Sequence, residues 1–270
     1  MGRVRYAKSL RDLEQQGEFG AEGPTRAIRS IHCVYETDSE VVRAIVPRPL
    51  EANVHAEVGF RFTSFASRVA PDSPDAPEVV EEIRSLRIGV RVDYDDKPGD
   101  YLLTVPMSSE QAVFAGRERF GEPRKLAEID FEVRGEALRA SVERRGHRFL
   151  AIEGCRVEAL GPRVDAAIEY CFKAFASCTP DKDFDQDPQL VRLEWQHRLD
   201  RVWRIEGEIA LEDSPFDPVV DLPVRRIVRL EYGEGESSFA ARALRPVPGD
   251  WLLPFLHQRD DDPWVEGVEV

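Results

Sequence analysis

Along most of this chain apolar and polar residues alternate one for one, the period of a strand with one buried face, and helical stripes are few. The run from Ile28 to Tyr35 reads as a strand, after which Thr37-Asp38-Ser39 supplies an N-cap for a short helix through about Val46. Pro47 and Pro49 stop that helix. EVGFRFTSFAS (57–67) and SLRIGVRVDY (85–94) place apolar residues at every second position and predict two half-buried strands. Between them, APDSPDAPEVVEE reads as an exposed connection with solvated carboxylates. DDKPGD predicts a turn, YLLTVPM a strand, and SSEQAVFAGRERFG a helix that Ser108 or Ser109 caps and Pro123 ends. Residues 129–160 contain three strand-like pieces separated by Gly-bearing turns, the pattern of an antiparallel meander. VDAAIEYCFKAFAS suits a helix or a strand equally. From Leu190 to Ala243 four more strands are predicted: VRLEWQHRL, RVWRIEGEIAL, RRIVRLEYGEG and SSFAARALRPV. The expectation is a β-rich α+β fold with predominantly antiparallel pairing. Its expected organisation is an N-terminal arm over 1–27, one domain over 28–256 and an acidic C-terminal tail over 257–270.

Composition narrows the function classes. At 270 residues and 42% hydrophobic content, the chain can bury a substantial core. A formal net charge of −14 argues against nucleic acid and against an anionic membrane surface, both of which draw on clustered Lys and Arg. No segment approaches the roughly 20 apolar residues of a membrane-spanning helix, and the first residues lack the apolar centre of a secretory signal. The protein is therefore expected to be soluble and cytoplasmic. Cys33, Cys155, Cys171 and Cys178 lack paired CxxC spacing, and the five histidines form no HExxH motif. No metal or other cofactor is implied.

Three stretches carry more specific information. VYETDSEVVRAIVPRPLE (34–51), GDYLLTVPMSSEQAVFAGRERFGEPRKLAEIDF (99–131) and DLPVRRIV (221–228) resemble the acetoacetate decarboxylase family, in its order and at similar separations. The resemblance spans about residues 28 to 256. It implies a closed, cone-like antiparallel β-barrel with a flanking sheet and a few helices, a homo-oligomer, and a small keto acid as substrate.

In that family a Gly-Arg-Glu segment leads into Pro-Lys-Lys, whose first lysine forms an imine with the substrate ketone. Here the triplet is Pro123-Arg124-Lys125, so arginine stands at the imine position. A guanidinium stays protonated and cannot act as that nucleophile, but it binds a carboxylate or an enolate oxygen through two parallel hydrogen bonds. Two readings stay open. Lys125 forms the imine instead, which requires a local bend because adjacent side chains on a strand point to opposite faces. Otherwise no imine forms, and Arg124 with Lys125 stabilises an enolate electrostatically.

The family's pocket glutamates fall near Arg61 and Ser85, with Glu81 and Glu82 close by, and its pocket arginine falls near Arg26 or Arg29. Arg61, Arg29, Glu82 and Ser85 are accordingly the candidate substrate-binding residues. A pocket shared by Arg61, Arg124 and Lys125 would favour a keto diacid. The functional expectation is an enzyme of the decarboxylase, lyase, aldolase or dehydratase kind. The alternative is a non-catalytic carboxylate-binding protein that keeps the pocket.

Overall fold

The computed structural model describes residues 25–69 and 79–261, together with Tyr6, Ala7 and Leu10. Most of the expected arm, the centre of the Pro/Asp-rich connection and the tail beyond Asp261 lie outside the described residues. The strands are β1 (Arg26–Glu36), β2 (Glu51–Ala52), β3 (Glu57–Val69), β4 (Val79–Tyr94), β5 (Lys97–Met107), β6 (Arg124–Leu126) and β7 (Glu128–Arg134). They continue as β8 (Ala137–Arg144), β9 (His147–Ala159), β10 (Arg163–Lys173), β11 (Gln189–Leu211) and β12 (Arg226–Pro246). Helices α1 (Ser39–Ile45), α2 (Glu110–Phe120) and α3 (His257–Asp260) complete the β-rich α+β fold. Among the described residues, no helix is long and apolar enough to cross a membrane.

One sheet holds all the strands in the order β10-β5-β4-β3-β1-β12-β11-β9-β8-β7, and β10 also pairs with β11. The ladder from β10 through β12 to β11 therefore returns to its start and forms a ring. The meander β7-β8-β9 extends from it along the second half of β11. Pairing is predominantly antiparallel, as expected, but the seam pair β5–β10, where the resemblance implied antiparallel closure, is parallel, and so is β5–β6. Neither pair is joined by a hairpin. Strands that meet after a long excursion are free of the reversal that a tight turn imposes.

The alternation read from the sequence sorts side chains into two sets. Outside the ring, a large core includes the fully buried Tyr35, Phe60, Phe62, Leu86 and Ile88. Each such side chain contributes about 1.5–3 kcal/mol of transfer free energy. Inside, a smaller cluster joins Ile83, Met107, Val113 and Leu193 to Phe65, Phe120, Trp195 and Phe239.

Three local expectations shift. The connection expected through Glu82 is shorter, because β4 already begins at Val79. The turn expected over DDKPGD is confined to Asp95 and Asp96, both at positive φ, a two-residue hairpin reversal after which β5 begins at Lys97. The ambiguous segment at 164–177 is largely strand β10.

The four C-terminal strands are two long ones, of 23 and 21 residues, each bent by register shifts or by glycines instead of being cut by a turn. Gly235 is needed for close approach: a Cβ there would lie 2.1 Å from the Arg198 carbonyl oxygen.

Candidate functional site

The inner face of the ring and the face of α2 turned toward it enclose a cavity of about 380 Å³. Arg26 from β1, Arg87 from β4, Arg119 from α2 and Arg124 from β6 reach it, and no lysine or carboxylate is among its lining residues. Arg124 is placed by three features of the expected Gly-Arg-Glu-to-Pro-Arg-Lys segment. Helix α2 closes at Gly121, whose left-handed φ of 77° suits glycine, and Pro123 prevents further helix. β6 then runs parallel to β5, with Arg124 opposite Val105. Gly116 leaves room for the guanidinium, since a Cβ there would fall 2.0 Å from Arg124 Nε.

The Arg124 guanidinium donates to the Ala112 carbonyl at 2.7 Å and ion-pairs with Glu122 at 2.6 Å. Its Nε is buried with no hydrogen-bond partner. Glu122 also receives Arg87 at 2.6 Å, and Arg87 Nε donates to Glu169 at 2.8 Å. Glu169 accepts from Trp195 Nε1 at 2.7 Å, while the Arg87 guanidinium lies 4.7 Å from the centre of the Trp195 ring.

Burial would raise the Glu122 carboxyl, but Arg124 and Arg87 outweigh it and hold the group below the usual carboxylate range. Burial likewise opposes the charge on Arg87, and Glu169 and Glu122 more than reverse that effect. Arg26 differs. It sits 4.9 Å over Phe65, and among the described residues no carboxylate pairs with it. Burial, then the nearby Arg124, lower its pKa.

His197 and Ser237 lie on the opposite wall, with Ser237 Oγ 2.9 Å from His197 Nδ1. Burial, with Arg61 and Arg87 nearby, pushes the imidazole down to about 3, so it is neutral at pH 7.

The candidate residues named from the sequence fall into separate places. Arg124 and Ser85 line the cavity. Lys125 occupies the other face of β6, where its Nζ donates to the Phe216 carbonyl at 3.0 Å and meets Asp217 at 3.2 Å and Asp261 at 3.0 Å. That side chain borders a different space of about 60 Å³, with Val41, Leu103 and Val219. β6 has no bend that would turn Lys125 toward Arg124.

Arg61 is buried inside the ring, bonded at 2.9 Å to His32 Nδ1, and does not line the cavity; burial brings its pKa down to about 10. Arg29 and Glu82 bond each other at 2.8 Å on the outer face of the sheet. The alternation of β1 accounts for this, because Arg26 and Ile28 point inward and Arg29 outward. Arg61, Arg124 and Lys125 thus do not share one pocket, and the argument for a keto diacid loses its basis. Arg87, Trp195, His197 and Glu169 carried no local motif. The alternation of β4 and of VRLEWQHRL put Arg87, Trp195 and His197 on a common face with their neighbours, Glu169 stands on the undecided β10 segment, and only the ring brings those faces together.

The family model for acetoacetate decarboxylase matches residues 15–241. The chain belongs to the acetoacetate decarboxylase family. It is 26% identical over 201 residues to acetoacetate decarboxylase of Clostridium botulinum, covering 72% of this chain and 77% of that one. The crystal structure of acetoacetate decarboxylase from Legionella pneumophila superposes with a TM-score of 0.70 at 17% identity, over 90% of this chain and 98% of that one. The enduracididine biosynthesis enzyme MppR, solved in complex with pyruvate, gives a TM-score of 0.65 at 12% identity, over 82% and 90% of the two chains. Within this acetoacetate decarboxylase family member, the triplet that suggested the resemblance stands at the cavity wall with Arg124 inward.

Proposed function

We propose that the cavity binds a small keto acid and that the protein acts on it without an imine, as a decarboxylase or in a related lyase, aldolase or dehydratase step. The observation that carries this reading is a cavity lined by arginines and, among the described residues, by no lysine. Formal charge supports an anionic ligand. Arg87 and Arg124 are matched by Glu122 and Glu169, whereas Arg26 adds a cation that no carboxylate among the described residues pairs with. A carboxylate would also supply an acceptor near the unpartnered Arg124 Nε. The relatives named as decarboxylases, and MppR with its pyruvate, make a keto acid the natural candidate.

In a decarboxylation, the bond between the carboxyl carbon and the adjacent carbon breaks and its electron pair passes into an enolate. For a 3-oxo acid, water returns one proton to carbon and the hydroxide left behind combines with the carbon dioxide, so the products are the ketone and bicarbonate. Fixed guanidinium donors on the cavity wall would stabilise the enolate oxygen. Lys125, facing the other side of β6, is assigned to support of the fold.

A second reading, a non-catalytic carboxylate binder, is favoured by one feature: the titratable groups lining the cavity are arginines and a His197 that is a weak base.

Borohydride trapping with a panel of 2-oxo and 3-oxo acids, read by intact mass beside carbon dioxide and product release, separates these readings. The expected outcome is turnover with no trapped adduct. Saturable binding without turnover would favour the binder. An adduct that disappears in Lys125→Ala would overturn the imine-free mechanism. Arg124→Lys is expected to acquire a trappable adduct, because it puts an amine beside Arg26 and Glu122.

A further inference from the structure

The cavity is large for the substrates of small-acid chemistry. About 300–1,000 Å³ is the range of pockets that hold drug-sized molecules, and 380 Å³ lies within it. The room has a sequence origin: the face of α2 turned inward carries Ala112, Ala115 and Gly116, and Thr63 and Ser85 stand on the strands opposite. Phe65, Phe120, Trp195 and Phe239 stand beside Ile28, Ile83 and Met107 on the rest of the wall. Trp195 and Phe239 lie 4.6 Å apart at 32°, and Phe120 meets Phe239 edge-on at 5.4 Å. Anchor and wall are contiguous, since Arg87 lies over Trp195 and Arg26 over Phe65. A carboxylate held by these arginines therefore has its substituent against the rings.

We infer that the preferred ligand is a keto acid carrying an aryl or other planar conjugated substituent, with the carboxylate at Arg26 and Arg124 and the planar group against Trp195 and Phe239. This rests on the keto-acid reading of the same cavity. Stacking on aromatic faces rewards a flat group beyond the area it buries, and a four-carbon acid leaves that wall uncovered.

Calorimetric titration of the full chain with pyruvate, acetoacetate, phenylpyruvate and 3-oxo-3-phenylpropanoate tests it. The aryl acids are expected to bind at least tenfold more tightly than the short acids. Ala112→Leu, which fills the cavity with a good helix former, is expected to reduce that preference at least tenfold; Trp195→Leu, if it folds, should do the same. Equal affinity across the series, or tighter binding of the short acids, would overturn the inference while leaving the keto-acid reading intact. Binding of none of the four would overturn both. Binding of acetophenone as tightly as of the aryl acids would show that the rings act without the carboxylate anchor, against both.

Discussion

Arg124 and Lys125 are neighbours on a three-residue strand, and their surroundings differ in kind. Lys125 enters a closed cluster. Asp217 accepts from Thr104 at 2.8 Å and from Arg144 Nε at 2.7 Å, and Asp261 meets both Lys125 and Arg144. Lys125 and Arg144 face Asp217 and Asp261, with the exposed Arg145 3.4 Å from Asp261 at the rim, and the Lys125, Arg144 and Asp217 side chains are almost completely buried. Arg124 enters a cluster of similar composition that opens on a cavity and carries the surplus charge of Arg26. Identical ingredients thus make a brace on one side and a receptor on the other. What separates them is the room they face, about 60 Å³ beside Lys125 and about 380 Å³ beside Arg124.

The brace should show itself as stability. Asp217→Asn leaves Lys125 and Arg144 with one carboxylate between them, and breaking a buried ion pair in this way costs about 3–5 kcal/mol. Urea unfolding should register that loss; a loss below about 1 kcal/mol would remove the contrast. The receptor should show itself as affinity. Arg124→Ala is expected to weaken keto-acid binding at least a hundredfold, equivalent to about 2.7 kcal/mol, within the range for truncating a buried charged partner. Its effect on unfolding should be smaller than that of Asp217→Asn. Gly116→Ala puts a methyl group on the Arg124 guanidinium and should weaken binding about tenfold by displacing it. If the affinity is unchanged, Arg124 does not need its present position.

The smallest expected effect is one of pH. His197 titrates near 3 when folded, against an ordinary value of 6.5. Between those values the unfolded chain binds a proton that the folded one does not. The stabilising contribution is therefore fully present above about 6.5 and is lost as pH falls toward 3. His32, also lowered by burial and by Arg61, acts in the same direction. His197→Asn should flatten the decline of unfolding free energy across that window. An unchanged slope would mean that the imidazole is not held neutral beside the cavity.

Much of this was legible in the residues. Strand alternation marked β3, β4 and the meander, because this signal is local; α2 starts after Ser109 as expected, though without a side-chain cap bond, and closes at Gly121 just before Pro123. The opposite facing of Arg124 and Lys125 followed from the two-residue period alone. The choice between Arg26 and Arg29 did not, since an odd shift of register exchanges the faces of a whole strand. RRIVRLEYGEG and SSFAARALRPV read as two strands and form one, β12, because glycines in a sequence read the same whether they serve a reversal or a close approach. Trp195 and Glu169, bonded across paired strands, and Asp261, which reaches Lys125 from the far end of the chain, depend on contacts for which no local pattern exists.

The position of β12 bears on how the molecule is made. This strand lies between β1 and β11, pairing Arg26 with Ser237 on one side and Gln189 with Pro246 on the other. During synthesis from the N-terminus, β1 therefore waits with one edge unpaired for some two hundred residues, and the wall bearing Phe239 arrives last. Such distant pairing slows folding and leaves an edge open to wrong partners in the meantime. A nascent chain halted before Arg226 would hold all four arginines of the cavity and yet have no enclosed space for them to line.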